Sequence, residues 1–300
     1  TTLLSGNVLS QAVNVITIAV VVTRYIPPDE FGRYAVLMSY IGIVSVVACL
    51  RFEVGIVSTR TDLAARNLTL VALITAIAAT VLFSLVLALA VMIWGESFVF
   101  SVPIALLALV LLAKAVTQVL AGVLYRQESY GIYSLAKLVQ ALVMLGGFVW
   151  AGIMSKGIYE LTLVTLASYL TFAMLAGIQT LRVGGWSGIR RSRMIAIASR
   201  ERDFVKFNSP QALIDTVLAN GVSIVLLAFS GAAAAGYYSF MQRTVRAPLG
   251  LVWSFGADTV ARFLEHVEVD KAKQGLHLNL ADFSAPGVQL HRNDSEAEQW

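Results

Sequence analysis

The stretch VALITAIAATVLFSLVLALAVMIW, residues 71–94, contains no charged residue, no proline and no glycine. It is long enough to cross the hydrocarbon core of a bilayer, for which about 20 residues suffice. If the segment is helical, its apolar residues occupy every face of the helix, whereas a helix in a soluble domain has a single apolar stripe. A helix also satisfies all of its own backbone hydrogen bonds in hydrocarbon. The stretch therefore predicts a transmembrane helix.

The composition of the whole chain is that of a polytopic membrane protein. Hydrophobic residues make up 58% and charged residues 13% of it, and the mean hydropathy is +0.76. A typical soluble domain has about 25% charged residues. Comparable apolar runs predict an all-α fold with about eight transmembrane helices, a six-helix lobe and the start of a second. The predicted helices cover residues 4–26, 34–57, 68–94, 102–126, 131–154, 161–181, 212–229 and 236–261.

A short internal repeat favours two related lobes. Gly32 and Tyr34 recur as Gly236 and Tyr238, each pair 204 residues apart and each opening a predicted helix. Repeated lobes with a binding site between them are common in secondary transporters. Two helices do not complete a second lobe, so the sequence favours a chain truncated there. The predicted regions are a six-helix lobe (1–181), a basic cytoplasmic linker (182–207), two helices of a truncated second lobe (208–263) and a polar, disordered tail (264–300).

The loop cations predict the orientation in the membrane. Seven cations lie between predicted helices six and seven, and Arg60, Arg66 and Arg126 fall on the same side. The opposite side holds Arg24, Arg33 and Lys156. Cytoplasmic loops are enriched in Lys and Arg, so both termini are expected in the cytoplasm. The same rule accounts for the basic linker, so no binding of nucleic acid is needed to explain its charge. The seven cations of the linker are Arg182, Arg190, Arg191, Arg193, Arg200, Arg202 and Lys206.

Three segments, in the same order along the chain, resemble bacterial polysaccharide flippases. RYIPPDEFGRY (24–34) is similar to their R-x-L-x-P-x-E-y-G-x-Y junction, and LRFEVGIV (50–57) to their L-R-x-E-x-A-I-V stretch. GYYSF (236–240), followed by Arg243 and Pro248, resembles G-x-Y-x-x-x-x-R-x-x-x-x-P early in the second lobe. The chain thus resembles the O-antigen and lipid-linked oligosaccharide flippases of the multidrug/oligosaccharidyl-lipid/polysaccharide export superfamily.

The resemblance implies flipping of undecaprenyl-pyrophosphate-linked oligosaccharide across the bacterial inner membrane, for polysaccharide or lipopolysaccharide synthesis. The implied mechanism is ion-coupled alternating access, and the implied partners are the lipid-linked oligosaccharide, membrane lipid, a polysaccharide polymerase and chain-length machinery. Neither a phosphate-binding loop nor zinc-ligand spacing occurs, so we expect no enzyme, cofactor or metal. The alternatives are a drug or cation antiporter of the same superfamily, which an excess of cations disfavours, and a truncated, non-transporting membrane protein.

Ionisable groups inside membrane helices usually face protein or a water-filled cavity. Cations in such a cavity suit a pyrophosphate and polar sugars, although each could instead pair structurally or extend to the interface. The candidates for binding substrate are Lys114 with Gln118 four residues later, Lys137 with Gln140 three residues later, and Arg243 with Arg246.

Two further pairs of charged residues are candidates for other roles. Arg51 and Glu53 are two residues apart, so on a continuous helix they would face different sides and bond to other helices. The resemblance implies that they have a gating or structural role. Asp215 and Asp258 are candidates for a proton or sodium site.

Reporter fusions test the predicted orientation. Alkaline phosphatase fused after Gly185 or after Trp300 should be inactive, because this enzyme folds only on the periplasmic side, and a cytoplasmic reporter should be active at both points. A fusion after Lys156, at the predicted periplasmic side, is the matched control. Alkaline phosphatase activity at Gly185 or Trp300 would contradict the orientation.

Overall fold

The computed structural model describes residues 2–59, 61–94, 102–154, 157–183, 191–200 and 202–273, with side-chain detail ending at residue 245. Within these ranges the chain is helical and contains no strand, which confirms the all-α prediction. Thr1–Pro248 form one compact unit and Leu249–Trp300 a second, and every contact given below lies in the first. A π-helical segment, Thr17–Val22, joins the first two helices. The α-helices are α1 (Thr2–Ile16), α2 (Thr23–Tyr25), α3 (Pro28–Ala48), α4 (Phe52–Ser58), α5 (Asp62–Trp94), α6 (Ile104–Arg126), α7 (Tyr130–Ile153), α8 (Ile158–Val183), α9 (Arg191–Arg200) and α10 (Arg202–Lys273).

Seven segments of the described chain are long and apolar enough to span a membrane, which makes this a multi-pass membrane protein. The most apolar is in α5, whose Leu82, Met92 and Ile93 are 63%, 85% and 69% exposed. Such exposure of large apolar side chains in water would be costly, but it suits contact with lipid. The seven segments are Val8–Tyr25, Pro28–Ala48, Asp62–Ile93, Ile104–Arg126, Tyr130–Ile153, Ile158–Arg182 and Asn208–Val245.

The last of these segments turns back on itself at Gly231. There φ is 86° and ψ is 176°, a conformation open to glycine and strained for other residues. The Ser223 and Ser239 hydroxyls lie 3.2 Å apart, and Gln242 Nε2 donates to the Ala219 carbonyl at 2.7 Å. These contacts pair residues placed nearly symmetrically about Gly231, so two antiparallel helices meet there. They correspond to the seventh and eighth helices predicted from the sequence.

The predicted helix over residues 34–57 is wrong, because α3 and α4 are separate. Leu50 and Arg51 have φ of 47° and 58°, so the backbone between the helices is left-handed. The expectation that Arg51 and Glu53 bond to other helices is wrong as well. Arg51 Nη1 lies 3.5 Å from Glu53 Oε1, since Arg51 is outside the helix and the two-residue helical spacing does not apply. Burial raises the pKa of the Glu53 carboxyl, and Arg51 opposes that shift.

Arg126, at the end of α6, fixes the connection between α4 and α5. Its guanidinium donates to the carbonyl oxygens of Ile56 and Thr59, the last turn of α4 and its cap. Arg126 Nη2 also pairs with Asp62 Oδ1 at 3.0 Å, in the first turn of α5. A cation at a helix C-terminus and an acid at a helix N-terminus both match the helix dipoles. One side chain thus joins three helices at one membrane face.

The first lobe has an aromatic centre that positions α3. Tyr34 is 1% exposed, and its ring meets Phe148 of α7 edge-on with the centroids 5.5 Å apart. The Tyr34 hydroxyl lies 2.8 Å from Thr165 Oγ1 of α8. A buried tyrosine hydroxyl normally requires such a partner. Tyr34 therefore holds α3 against both α7 and α8.

The helices α3 and α10 cross with their backbones in contact at the two repeat glycines. A Cβ built on Gly32 would lie 1.8 Å from the Ala232 carbonyl oxygen, and one on Gly236 would lie 2.3 Å from the Pro28 carbonyl oxygen. Glycine at both positions allows this approach, as small residues do at other membrane helix crossings. The 204-residue offset also relates Gly231, where α10 folds, to Pro27, which precedes α3. Positions 204 residues apart in the sequence therefore meet at this crossing.

Alanine at these glycines should destabilise the protein. Because the backbones leave no space for a methyl group, Gly32→Ala and Gly236→Ala should each cost roughly 1–3 kcal/mol, the usual cost of overpacking. Thermal unfolding in detergent should show a lower Tm for both variants. Gly146→Ala is the matched control, since a Cβ there meets nothing within 4 Å. A Tm of Gly32→Ala equal to that of Gly146→Ala would contradict the contact.

Candidate binding cavity

A cavity of about 410 Å³ lies between α3, α6, α7, α8 and the two arms of α10. Its lining contains more polar than apolar groups, which is unusual at membrane depth and marks a water-filled space. The side chains that line it come from both predicted lobes. They are Tyr34, Met38, Ser45, Val46, Lys114, Gln118, Met144, Thr165, Tyr169, Thr216, Asn220 and Arg243, with Gly42 between them.

The cavity lies to one side of the glycine crossing. Along α3, Gly42 is ten residues past Gly32, which is about 15 Å at 1.5 Å per residue. On α10, Asn220 precedes the fold at Gly231 by eleven residues, again about 16 Å. The helices touch at the crossing, and residues of α3 and α10 on one side of this contact line the cavity.

Polar residues at helical spacing build this lining. Tyr34, Met38, Gly42 and Ser45 follow the four- and three-residue spacing of one face of α3. The pairs Lys114 with Gln118 on α6 and Thr216 with Asn220 on α10 are each four residues apart. Every one of these residues lines the cavity. Three short polar stripes on otherwise apolar helices thus meet in one place.

Lys114 and Arg243 make the cavity electropositive. A Cβ built on Gly42 would lie 3.6 Å from Lys114 Nζ and 3.8 Å from Asn220 Nδ2, so both nitrogens stand over this glycine. The Arg243 guanidinium lies over the Phe31 ring, 5.6 Å from its centroid, at the end nearer the crossing. None of the described residues lining the cavity is a carboxylate. Two cations, one on α6 and one on α10, therefore line one polar space whose described lining contains no acid.

The structure brings together some of the residues selected from the sequence and separates others. Lys114, Gln118 and Arg243 share the cavity. Lys137 does not, because it lines a different cavity inside the first lobe, with Gln140. Grouping Lys137 with Lys114 was therefore wrong in position, since sequence alone does not give the azimuth of α7.

The remaining candidates lie elsewhere. Asp215 is exposed on α10 and lines neither cavity. Arg51 and Glu53 are at the α3–α4 turn, where Glu53 also packs its carbonyl oxygen against Gly122. The side chains of Arg246 and Asp258 lie outside the described residues.

Several lining residues were not selected from the sequence. In the sequence Tyr34 stands out only as part of a motif, but in the structure its side chain lines the cavity and its hydroxyl contacts Thr165. Asn220 donates to the Thr216 carbonyl at 2.9 Å, which holds its amide beside Lys114. Gly42 leaves the space that both side chains enter. The four-residue spacing of polar residues was the signal that could have identified them.

Fold and cavity together define the class: an all-α, multi-pass membrane protein with a cation-lined polar cavity between α3, α6, α7, α8 and α10. A comparison with protein families assigns residues 1–260 to the polysaccharide biosynthesis protein family, which includes O-antigen flippases. The chain belongs to this family, which confirms the resemblance of its three segments. Searches of curated proteins and of solved structures found no match.

A large side chain at Gly42 should fill the cavity. Gly42→Ala should be tolerated, because its Cβ would make only ordinary contacts at 3.6–3.9 Å. Gly42→Leu should place its branched end between Lys114 and Asn220 and abolish binding of a soluble pyrophosphate probe, measured by titration calorimetry on protein in detergent. Gly146→Leu, on an exposed position, is the control for the added bulk. Undiminished binding to Gly42→Leu would exclude the cavity as the site.

Proposed function

We propose that the chain takes part in flipping a lipid-linked oligosaccharide across the bacterial inner membrane. Its substrate would be an undecaprenyl-pyrophosphate carrier bearing the repeat unit of a polysaccharide or O-antigen. The observation that carries this proposal is the polar cavity holding Lys114 and Arg243. Membership of a polysaccharide biosynthesis family supports it independently. Transport, rather than enzyme chemistry, is the role that these features favour.

The chemistry of the lining suits the two parts of the head group. A pyrophosphate carries negative charge and many acceptor oxygens, which a lysine ammonium and an arginine guanidinium can bind. Gln118, Asn220 and the Tyr34 hydroxyl offer the neutral hydrogen-bond groups that sugars require. The lipid chain would remain in the bilayer beside the helices. The same lining disfavours a drug or cation antiporter, which should place carboxylates in its cavity.

The proposed orientation gives the cavity a direction. Arg24 and Arg33 flank the turn before α3, and the distribution of loop cations favours the periplasmic side for that turn. The backbone contact between Gly32 and Gly236 is at this same end, so the cavity would be closed to the periplasm. In this orientation Gly42 and Asn220 would lie nearer the cytoplasm, where lipid-linked oligosaccharides are assembled. The structure would then represent the state that loads substrate.

An ion gradient is proposed to drive the change of access, since the sequence contains no nucleotide-binding loop. Asp215 and Asp258 remain the candidate coupling groups in the sequence. A polysaccharide polymerase and chain-length machinery are the proposed partners, because they would receive the flipped unit. Both termini are proposed to lie in the cytoplasm.

Removing either cavity cation should impair export. Lys114→Gln and Arg243→Gln each remove a charge-assisted hydrogen bond, worth about 1.5–3 kcal/mol, so flipping at low substrate concentration should fall about tenfold or more. Flipping is measured in proteoliposomes as the loss of protection of a labelled lipid-linked oligosaccharide. Arg33→Gln, an exposed cation on α3, is the matched control.

Membrane insertion and Tm of each variant are measured alongside flipping. Normal flipping by both cavity variants would overturn the proposal, as would failure of the wild-type protein to flip the labelled substrate. Uptake of a cationic dye by energised vesicles carrying the wild-type protein would instead favour the antiporter class.

A further inference from the structure

A second cavity, of about 340 Å³, lies wholly within the first lobe. Three helices enclose it: α1, α7 and α8. It is distinct from the cavity that holds Lys114, although Met144 and Tyr169 line both. Its lining is mostly polar and consists of Ser10, Gln11, Asn14, Tyr133, Lys137, Gln140, Ala141, Met144, Ser168 and Tyr169.

Lys137 supplies the charge of this cavity. Among the described residues, its ammonium makes one long hydrogen bond, 3.5 Å to Gln140 Oε1. The same nitrogen lies 5.0 Å from the centroid of the Phe172 ring and 6.0 Å from that of Tyr133. No carboxylate is found among the described residues that line the cavity. A lysine has three donor hydrogens, so most of the hydrogen-bonding capacity of Lys137 remains unused.

The aromatic rings offset only part of the cost of placing this charge in the membrane. A cation–π contact weakens as the cation moves away from the ring and reaches its useful limit at about 6 Å, and the two rings lie 5.0 and 6.0 Å from Lys137 Nζ. A lysine buried at membrane depth normally has a counter-charge or faces water. A counter-charge would remove the remainder, and the described lining provides none.

The neutral groups around Lys137 are suited to an anion. Gln140 accepts from Lys137 through its oxygen, which leaves its amide nitrogen as a donor toward the cavity. Asn14 and Gln11 on α1 present two further amides on the opposite wall. Amide and ammonium donors converging on a space without acids create a positive potential. A cation such as sodium would meet repulsion there.

We propose that this cavity binds a small inorganic anion of the size of chloride, which serves as the counter-ion of Lys137. The volume accommodates such an ion with a few waters, each of which occupies about 30 Å³ in the liquid. Met144 and Tyr169, which line both cavities, lie between it and the larger cavity. The site does not depend on the proposed transport function.

Thermal unfolding tests the site on the full chain purified in detergent. Chloride is varied against gluconate, an organic anion several times the size of chloride, at constant ionic strength. The wild-type Tm should rise with chloride and then saturate, because a ligand that binds only the folded state stabilises it. Lys137→Gln should lose this rise, and Lys137→Arg, which keeps the charge, should retain it.

Lys114→Gln is the matched control, since it removes a cation from the other cavity. It should keep the chloride response of the wild type. A wild-type Tm that does not depend on chloride would overturn the proposal. So would an unchanged response in Lys137→Gln, or loss of the response in Lys114→Gln instead.

A second measurement needs no variant and decides the question if Lys137→Gln does not fold. Crystals of the wild-type protein grown in bromide should show an anomalous peak within contact distance of Lys137 Nζ. No peak in this cavity, or a peak only beside Lys114, would exclude the assignment.

Discussion

A charged side chain in hydrocarbon costs about 2.5–3.5 kcal/mol even when the membrane adjusts around it. This cost determines where polar groups lie in the protein. Lys114, Lys137 and Arg243 all interrupt apolar helices, and all three face enclosed polar spaces. Apolar groups show the opposite distribution: the large apolar side chains of α5 are exposed on its outer surface, where lipid would cover them. The two cavities are thus a direct result of the cations that the apolar helices carry.

Much of the fold followed from apolar periodicity, but the ends of the helices did not. The apolar run over residues 71–94 correctly predicted most of α5, because it contains no glycine or proline that would interrupt a helix. Residues 50 and 51 differ, since neither is glycine or proline and nothing in their sequence indicates a left-handed turn. That single turn split the predicted helix and brought Arg51 to Glu53. In the sequence, Arg126 contributes only one cation to the prediction of membrane orientation. Its hydrogen bonds to α4 depend on tertiary structure and could not be predicted.

The candidate site was predictable in part, for a related reason. Lys114 with Gln118 stood out as a polar pair inside an apolar run, and the pair does line the larger cavity. Lys137 with Gln140 had the same appearance, yet α7 turns that face toward α1. Spacing along a helix shows that two residues share a face. The direction of that face depends on which neighbour the helix packs against, and this information is distributed over the whole lobe.

The crossing at Gly32 and Gly236 has a geometric consequence. Backbones that touch directly have no rotamers between them, so one helix can pivot on the other without any side chain having to change its torsion angles. Gly32 and Gly236, which are 204 residues apart in the sequence, lie on the two sides of the contact, where a fulcrum would be. With the arms of α3 and α10 extending about 15 Å from this fulcrum to Gly42 and Asn220, a tilt of about ten degrees would move them by roughly 2.6 Å. A small rotation at two glycines would thereby change the width of the cavity.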